Sequence, residues 1–177
     1  MKNAFSKIVL LVFLLAPAAA GAQALEHEIK AAFVFKFLSF VEWPAQAFAR
    51  PETPIAIGVL GAEEVYDELQ EIVPGRVVQG RPVTVRRVRD GESVNGLHVL
   101  YVGGGGGAAL ARLGQPRSLL TITEWDGALD QGSIINFVRS EGRVRFEVAL
   151  DTAERRGLHI SSRMLAVAQN VRSPKPL

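Results

Sequence analysis

Three short apolar runs constrain the fold more than any other feature of the chain. Ile55–Leu60 closes at Gly61, Leu97–Val102 runs into Gly103, and Leu119–Thr123 ends at Glu124. Runs of this length and composition suit parallel strands covered on both faces. Amphipathic segments lie among them. Glu63–Val73 places Val65, Leu69 and Ile72 or Val73 on one helical face before Pro74-Gly75 stops it, and Ala108–Leu113 makes a shorter helix. Arg81–Arg89 alternates at its start and reads as another strand. Ile134–Val138 and Val144–Leu150 form a hairpin around Ser140-Glu141-Gly142. Strands alternating with helices build a parallel sheet. The expected fold is therefore a single α/β domain: a mainly parallel central sheet with a C-terminal antiparallel hairpin, flanked by helices.

The first residues have the layout of a secretory leader. Lys2 and Lys7 precede the apolar run Ile8–Ala16, Pro17 breaks it, and Ala20-Gly21-Ala22 and Ala22-Gln23-Ala24 are small-x-small cleavage sites. The apolar run falls well short of the roughly 20 residues of a membrane-spanning helix. The expectation is a signal peptide over residues 1–22, a domain over 23–172, a frayed tail over 173–177, and a periplasmic mature protein. The full chain of 177 residues carries 20 basic and 18 acidic side chains, a net of +2. Removal of Lys2 and Lys7 with the leader brings that balance to neutrality, so no general affinity for nucleic acid or membrane is expected. The chain has no cysteine. Disulfides, thiol catalysis, thiolate metal sites and a lipidated cysteine are thereby excluded.

Two further helices and one isolated helical turn are expected. Leu25–Val41 places Leu25, Ile29, Phe33, Phe37 and Phe40 on one face, with Glu26, Lys30 and Ser39 elsewhere, and ends at Glu42-Trp43-Pro44. Asp151–Arg156 makes one helical turn stopped by Gly157, and Ile160–Val171 is a last helix capped by Ser161 or Ser162. The run Gly103–Gly107 fits a phosphate-binding pattern only as any glycine homopolymer does, and it lacks the Lys-Ser/Thr ending of a P-loop. It reads as a flexible loop.

Little in the chain carries chemistry. His27, His98 and His159 each lack a second ligand at metal spacing. His98, inside an apolar strand, reads as a buried, hydrogen-bonded histidine, and His159 as partly exposed. Glu124 and Asp126 follow a strand, where α/β enzymes place acids, but they read as solvated loop acids. Trp125 between them either marks a binding surface or packs under the loop. Arg81, Arg86, Arg87 and Arg89 read as a solvated strand face, with an acidic partner surface as the functional alternative. Neither G-x-S-x-G nor H-E-x-x-H occurs. No catalytic residue, cofactor or metal ligand is expected, and the chain is read as a binding protein rather than an enzyme.

The segments IKAAFVFKFLSFVEWP, PIAIGVLG, GRPVTVRRVR, LHVLYVG and SIINFVRSEGRVRFEVAL, with GLHISSRMLAVA after them, occur in that order. In this combination the chain resembles the YfiR family of periplasmic proteins, from about Ile29 to Ala168. The resemblance implies a dimeric α/β protein that binds the periplasmic sensor domain of an inner-membrane diguanylate cyclase. Such a protein holds the enzyme inactive and so lowers cyclic di-GMP and biofilm formation. It also implies an outer-membrane, peptidoglycan-binding lipoprotein as antagonist. The family's studied repressor carries disulfides, so redox control of folding does not carry over to this cysteine-free chain. Candidate partner-binding residues lie mostly in the family-like ending. Arg145 and Glu147 face away from Val144, Phe146 and Val148, beside cross-strand neighbours such as Asn136. His159, Ser162 and Arg163 cluster at the start of the last helix. Phe35 and Trp43 lie off or beyond the stripe of the first helix. The alternative function is a periplasmic small-ligand binding module, its site formed by the loops after Gly61, Val102 and Thr123.

Overall fold

A computed structural model describes residues 17–114 and 116–173. The apolar run of the expected leader and the tail residues 174–177 lie outside the described residues. Along the chain come α1 (Pro17–Phe37), β1 (Val41–Glu42), β2 (Ile55–Leu60), α2 (Glu63–Ile72), β3 (Val77–Val78), β4 (Arg81–Arg87) and β5 (Val99–Val102). There follow α3 (Gly107–Leu113), β6 (Leu120–Thr123), β7 (Ile135–Ser140), β8 (Arg143–Ala149), α4 (Leu150–Arg155), β9 (His159–Ile160), α5 (Ser162–Leu165) and β10 (Asn170–Arg172).

Eight strands form one sheet in the order β10-β8-β7-β6-β5-β2-β4-β3, and β1 and β9 pair as a separate antiparallel ribbon. Strands β4, β2, β5, β6 and β7 run parallel, and the hairpin β7–β8 is antiparallel, as its alternation predicts. Its turn places Glu141 and Gly142 at φ 52° and 73°, the left-handed pair that a tight hairpin needs. Alternate residues of the central strands feed two separate cores. Ile55, Ile57 and Val59 of β2, with Val99 and Tyr101 of β5, join the cluster under α1 and α2. Leu100 and Val102 join the opposite cluster, with Val88, Leu97 and Leu119. Burial on both faces explains why these strands lack polar alternation. Gly58 belongs to the second face, where a Cβ would meet Leu97 Cδ1 at 2.4 Å and Val88 Cγ2 at 2.8 Å.

Helix α1 departs from expectation at both ends and on its buried face. It begins at Pro17, a residue suited to a first helical position, and the Ala-rich segment behind it has high helix propensity. It ends at Phe37 rather than Val41, because Val41 and Glu42 pair with Ile160 and His159. Its buried residues are Lys30, Ala31, Val34 and Phe37, with Leu38 buried just beyond its end, whereas Leu25 is 55% exposed. The deciding contact is aromatic. Phe37 stacks on Phe137 of β7 with centroids 6.0 Å apart and meets Phe146 of β8 edge-on at 4.9 Å. Such pairs add about 0.5–1.5 kcal/mol each beyond their area burial.

The expected last helix is also corrected. Ser161 caps it, its Oγ accepting the N–H of Arg163, but α5 lasts one turn. The chain then turns, Gln169 N–H donates to Phe146 O, and Asn170–Arg172 pairs parallel to β8 as β10. The apolar periodicity through Val167 and Val171 suggests helix, yet Val167 is 65% exposed. The open edge of β8 supplies backbone partners for this segment, and tertiary pairing outweighs local propensity.

Candidate functional site

Polar groups converge where β5, β6 and β7 end and α1 crosses the sheet. Lys30 of α1 is nearly buried, and its Nζ donates to Glu124 Oε2 at 2.6 Å and lies 2.7 Å from Glu26 Oε1. The Tyr101 hydroxyl at the end of β5 donates to the same Glu124 oxygen at 2.7 Å, and Gly104 N–H donates to Glu124 Oε1 at 3.0 Å. Arg139 of β7 reaches Glu26 at 3.3 Å. Glu26, Lys30, Glu124 and Arg139 line a cleft of about 320 Å³ with Asp126 and Phe137. Glu124 is therefore the hub of a network between α1, β5 and β6, not the solvated loop acid that its position suggests.

The chemistry of the hub is that of a clamp. Burial works against the Lys30 charge, but hydrogen bonds from its ammonium to Glu124 and Glu26 outweigh this and hold its pKa above the ordinary value. The Lys30 hydrogen bond in turn holds Glu26 below the ordinary carboxylate range, against the opposing effect of burial. Burial pushes the Tyr101 hydroxyl well above the usual phenol value, and the neighbouring Glu124 carboxylate adds to the effect. A lysine kept protonated has no lone pair for nucleophilic attack. What these residues do is fasten α1 to the carboxyl end of the sheet.

The neighbouring crevice is shut by backbone. The chain order places the sheet's switch point between β2 and β5, where open α/β sheets bind ligands. A Cβ on Gly103 would lie 2.0 Å from Gly61 O. The loops leaving β2 and β5 thus touch main chain to main chain, with no room for a side chain between them. The glycine run is accordingly not a featureless loop. Gly103 packs against Gly61, Gly104 is bonded to Glu124, and Gly107 opens α3.

A second buried cluster joins the ribbon to the opposite end of the sheet. His98 is 2% exposed. Its Nδ1 accepts the N–H of Ala56 at 3.1 Å, which leaves Nε2–H to donate to Ala47 O at 3.1 Å. Trp43 Nε1–H donates to His98 O at 3.2 Å, and Phe48 stacks on the imidazole with centroids 4.4 Å apart. Burial lowers the His98 pKa, and the Arg81 charge adds to that effect while the Ala47 carbonyl opposes it. The unfolded chain therefore takes up the proton first as pH falls. The His98 contribution to stability is intact above the unfolded value of about 6.5 and is lost as pH falls below it. Urea titrations at pH 7.5 and 5.5 are expected to show a fall in unfolding free energy that shrinks in His98→Gln. An equal fall in both proteins would refute the assignment.

The other residues singled out by sequence do not form one site. Asn136 is 2% exposed, and its Oδ1 accepts from Thr123 Oγ1 and Trp125 N–H, so it builds the sheet's interior rather than a surface. Trp43 is 9% exposed and serves the His98 cluster, while Phe35 packs half-buried against the main core. Glu147 does lie directly opposite Asn136 on β8, and Asn170 of β10 flanks it on the other side. Arg145, His159, Ser162 and Arg163 are exposed. Trp125 packs half-buried against the second core and donates to Gln131 Oε1 at 3.3 Å. The arginines of β4 are taken up locally: Arg81 by the carbonyls of Arg50, Pro51 and Thr53, Arg86 by Glu92, and Arg87 by Glu63 and Asp67. Among the described residues no group of three or more His, Asp or Glu could hold a metal ion, and no helix is long and apolar enough to cross a membrane.

The sequence model of the YfiR/HmsC-like family matches residues 27–169, most of the chain. The chain belongs to the YfiR/HmsC-like family. The match runs from α1 to the turn before β10 and so takes in the His98 cluster and all of the Lys30–Glu124 network except Glu26, one residue before its start. YfiR/HmsC-like proteins are periplasmic regulators rather than catalysts, with a role in cyclic di-GMP signalling. No individual curated protein matches the chain. Sequence reasoning missed Lys30, Glu26, Tyr101 and Arg139 as members of one network. The available signal was Lys30 itself, a charge set between Ile29 and the apolar run Ala31–Phe35.

Proposed function

We propose that the protein binds the periplasmic sensor domain of an inner-membrane diguanylate cyclase and holds the cyclase inactive. The observation that carries this reading is the family match over residues 27–169. Residues 1–22 act as the leader that delivers the chain to the periplasm. Binding one conformer of the sensor in preference to another moves its equilibrium, and each tenfold of preference supplies about 1.4 kcal/mol. An outer-membrane, peptidoglycan-binding lipoprotein is the proposed antagonist, and a homodimer the proposed working form.

The proposed contact surface is the exposed side of the family-like ending. Arg145 and Glu147 project from the face of β8 opposite Phe146. The segment from Ser162 to Gln169 joins that strand through the bond from Gln169 to Phe146 O, and it exposes Arg163 and Val167. His159 lies just before it on β9. Charge reversal at exposed positions costs little stability, typically within about 0.5 kcal/mol. The double variant Arg145→Glu, Arg163→Glu is therefore expected to fold normally and to lose repression. Cells carrying it should show the cyclic di-GMP level of a deletion strain. A variant that represses as well as the parent would remove this surface from the proposal.

A further inference from the structure

We infer that the protein carries a binding site for a small oxyanion at the amino ends of β5 and β6, opposite the Lys30–Glu124 clamp. A cavity of about 620 Å³ lies there, lined by Gln46, Arg117, Ser118, Glu154, Arg155 and Arg156 together with His98. Three arginines and one glutamate line it, and because the Arg155 and Arg156 guanidinium groups are bonded to partners outside the lining, Arg117 is the cation left open to a ligand among the described residues. This inference is independent of the regulator reading and rests on cavity chemistry alone.

Arg156 is the unusual member. It is 3% exposed, and its guanidinium meets only neutral acceptors: Leu119 O at 3.3 Å, Thr121 Oγ1 at 3.1 Å and Gly132 O at 2.7 Å. Its Nε has no partner. Buried guanidinium groups are ordinarily matched by a carboxylate. Here the charged neighbour that acts on it is Arg155, whose like charge adds to the imbalance. Arg155 itself is engaged by Asp151 at 3.0 Å and Thr152 Oγ1 at 2.9 Å. Arg117 is exposed and makes no ion pair among the described residues.

The cavity wall is also held in place. Ser118 adopts φ 58°, a left-handed conformation uncommon for a residue other than glycine. Its N–H donates to Arg156 O at 2.9 Å, tying the Arg117 loop to the end of α4. Strained backbone of this kind collects at ligand clamps. His98 is not available to a ligand, since both ring nitrogens are already bonded. The free donors are Arg117, Gln46 and the Ser118 hydroxyl. Together they suit the oxygens of a carboxylate or phosphate group, and the volume admits a metabolite-sized ligand rather than a polymer.

The test uses inorganic phosphate and citrate as probes, with thermal unfolding and titration calorimetry on the mature protein. Sodium chloride at matched ionic strength is the control. The expected result is a rise in Tm with at least one probe beyond the chloride control. The tighter of the two tells whether a phosphate or a carboxylate group is preferred. Arg117→Gln, at an exposed position, should keep the ligand-free Tm and weaken binding roughly tenfold or more, as loss of a hydrogen bond to a charged group does. Glu154→Gln removes the one carboxylate in the lining and should tighten binding, a change that mere damage to the fold would not produce. No rise beyond chloride with either probe, or unchanged affinity in Arg117→Gln, overturns the inference.

Discussion

Replacing Lys30 with methionine is expected to cost about 3 kcal/mol of unfolding free energy. The ammonium is shared between Glu124 at 2.6 Å and Glu26 at 2.7 Å, with all three side chains less than one-fifth exposed. Removing one partner of a buried pair leaves uncompensated charge, which costs roughly 3–5 kcal/mol. The lower end applies because the cleft still reaches solvent and Arg139 continues to hold Glu26. The double variant Lys30→Met, Glu124→Gln is expected to recover part of the loss. Its amide oxygen still accepts from Tyr101 or Gly104, and no unpaired charge remains at that position. Urea denaturation of the four proteins of this cycle measures the coupling, expected at about 1–2 kcal/mol. A single-variant loss below about 1 kcal/mol would show that the clamp is a surface ion pair in effect.

The second large effect belongs to the glycine run. Gly103→Ala should destabilise by about 3 kcal/mol or prevent folding, at or beyond the usual range for overpacking. The new methyl would stand 2.0 Å from Gly61 O and 2.7 Å from its carbonyl carbon. Both are main chain, so no side-chain rotation relieves the clash and the two loops must part. Its neighbour is the control. A Cβ on Gly104 would meet nothing within 4 Å, and Gly104 does not require a positive φ. Gly104→Ala should stay within about 0.5 kcal/mol of the parent, as an unobstructed surface substitution does. Equal behaviour of the two variants would mean that the run is a spacer and that the closed crevice does not matter to the fold.

Most of the sheet was legible because its strands are buried on both faces. Ile55–Leu60 and Val99–Val102 must be apolar throughout, and a continuous apolar run bounded by glycine has few other readings. The hairpin was legible through alternation and its Glu141-Gly142 turn. The chain's end was not. Ile160, Met164, Val167 and Val171 recur at helical spacing, but the edge of β8 decides the outcome, and an edge in need of a partner leaves no local mark on the sequence. The clamp was hidden for a related reason. Lys30 and Glu124 are 94 positions apart and meet only once α1 crosses the sheet. His98 was readable because a histidine within LHVLYV can only be buried, whereas its bonds to Ala56 and Ala47 depend on the folded chain.

The central claim is periplasmic repression of a membrane cyclase, and cellular cyclic di-GMP tests it most directly. The measurement compares cells with the gene, without it, and without it but supplied with the protein either carrying residues 1–22 or lacking them. Deletion is expected to raise cyclic di-GMP, and only the form carrying the leader is expected to restore the lower level. An unchanged level on deletion, or equal rescue by the leaderless form, would contradict it.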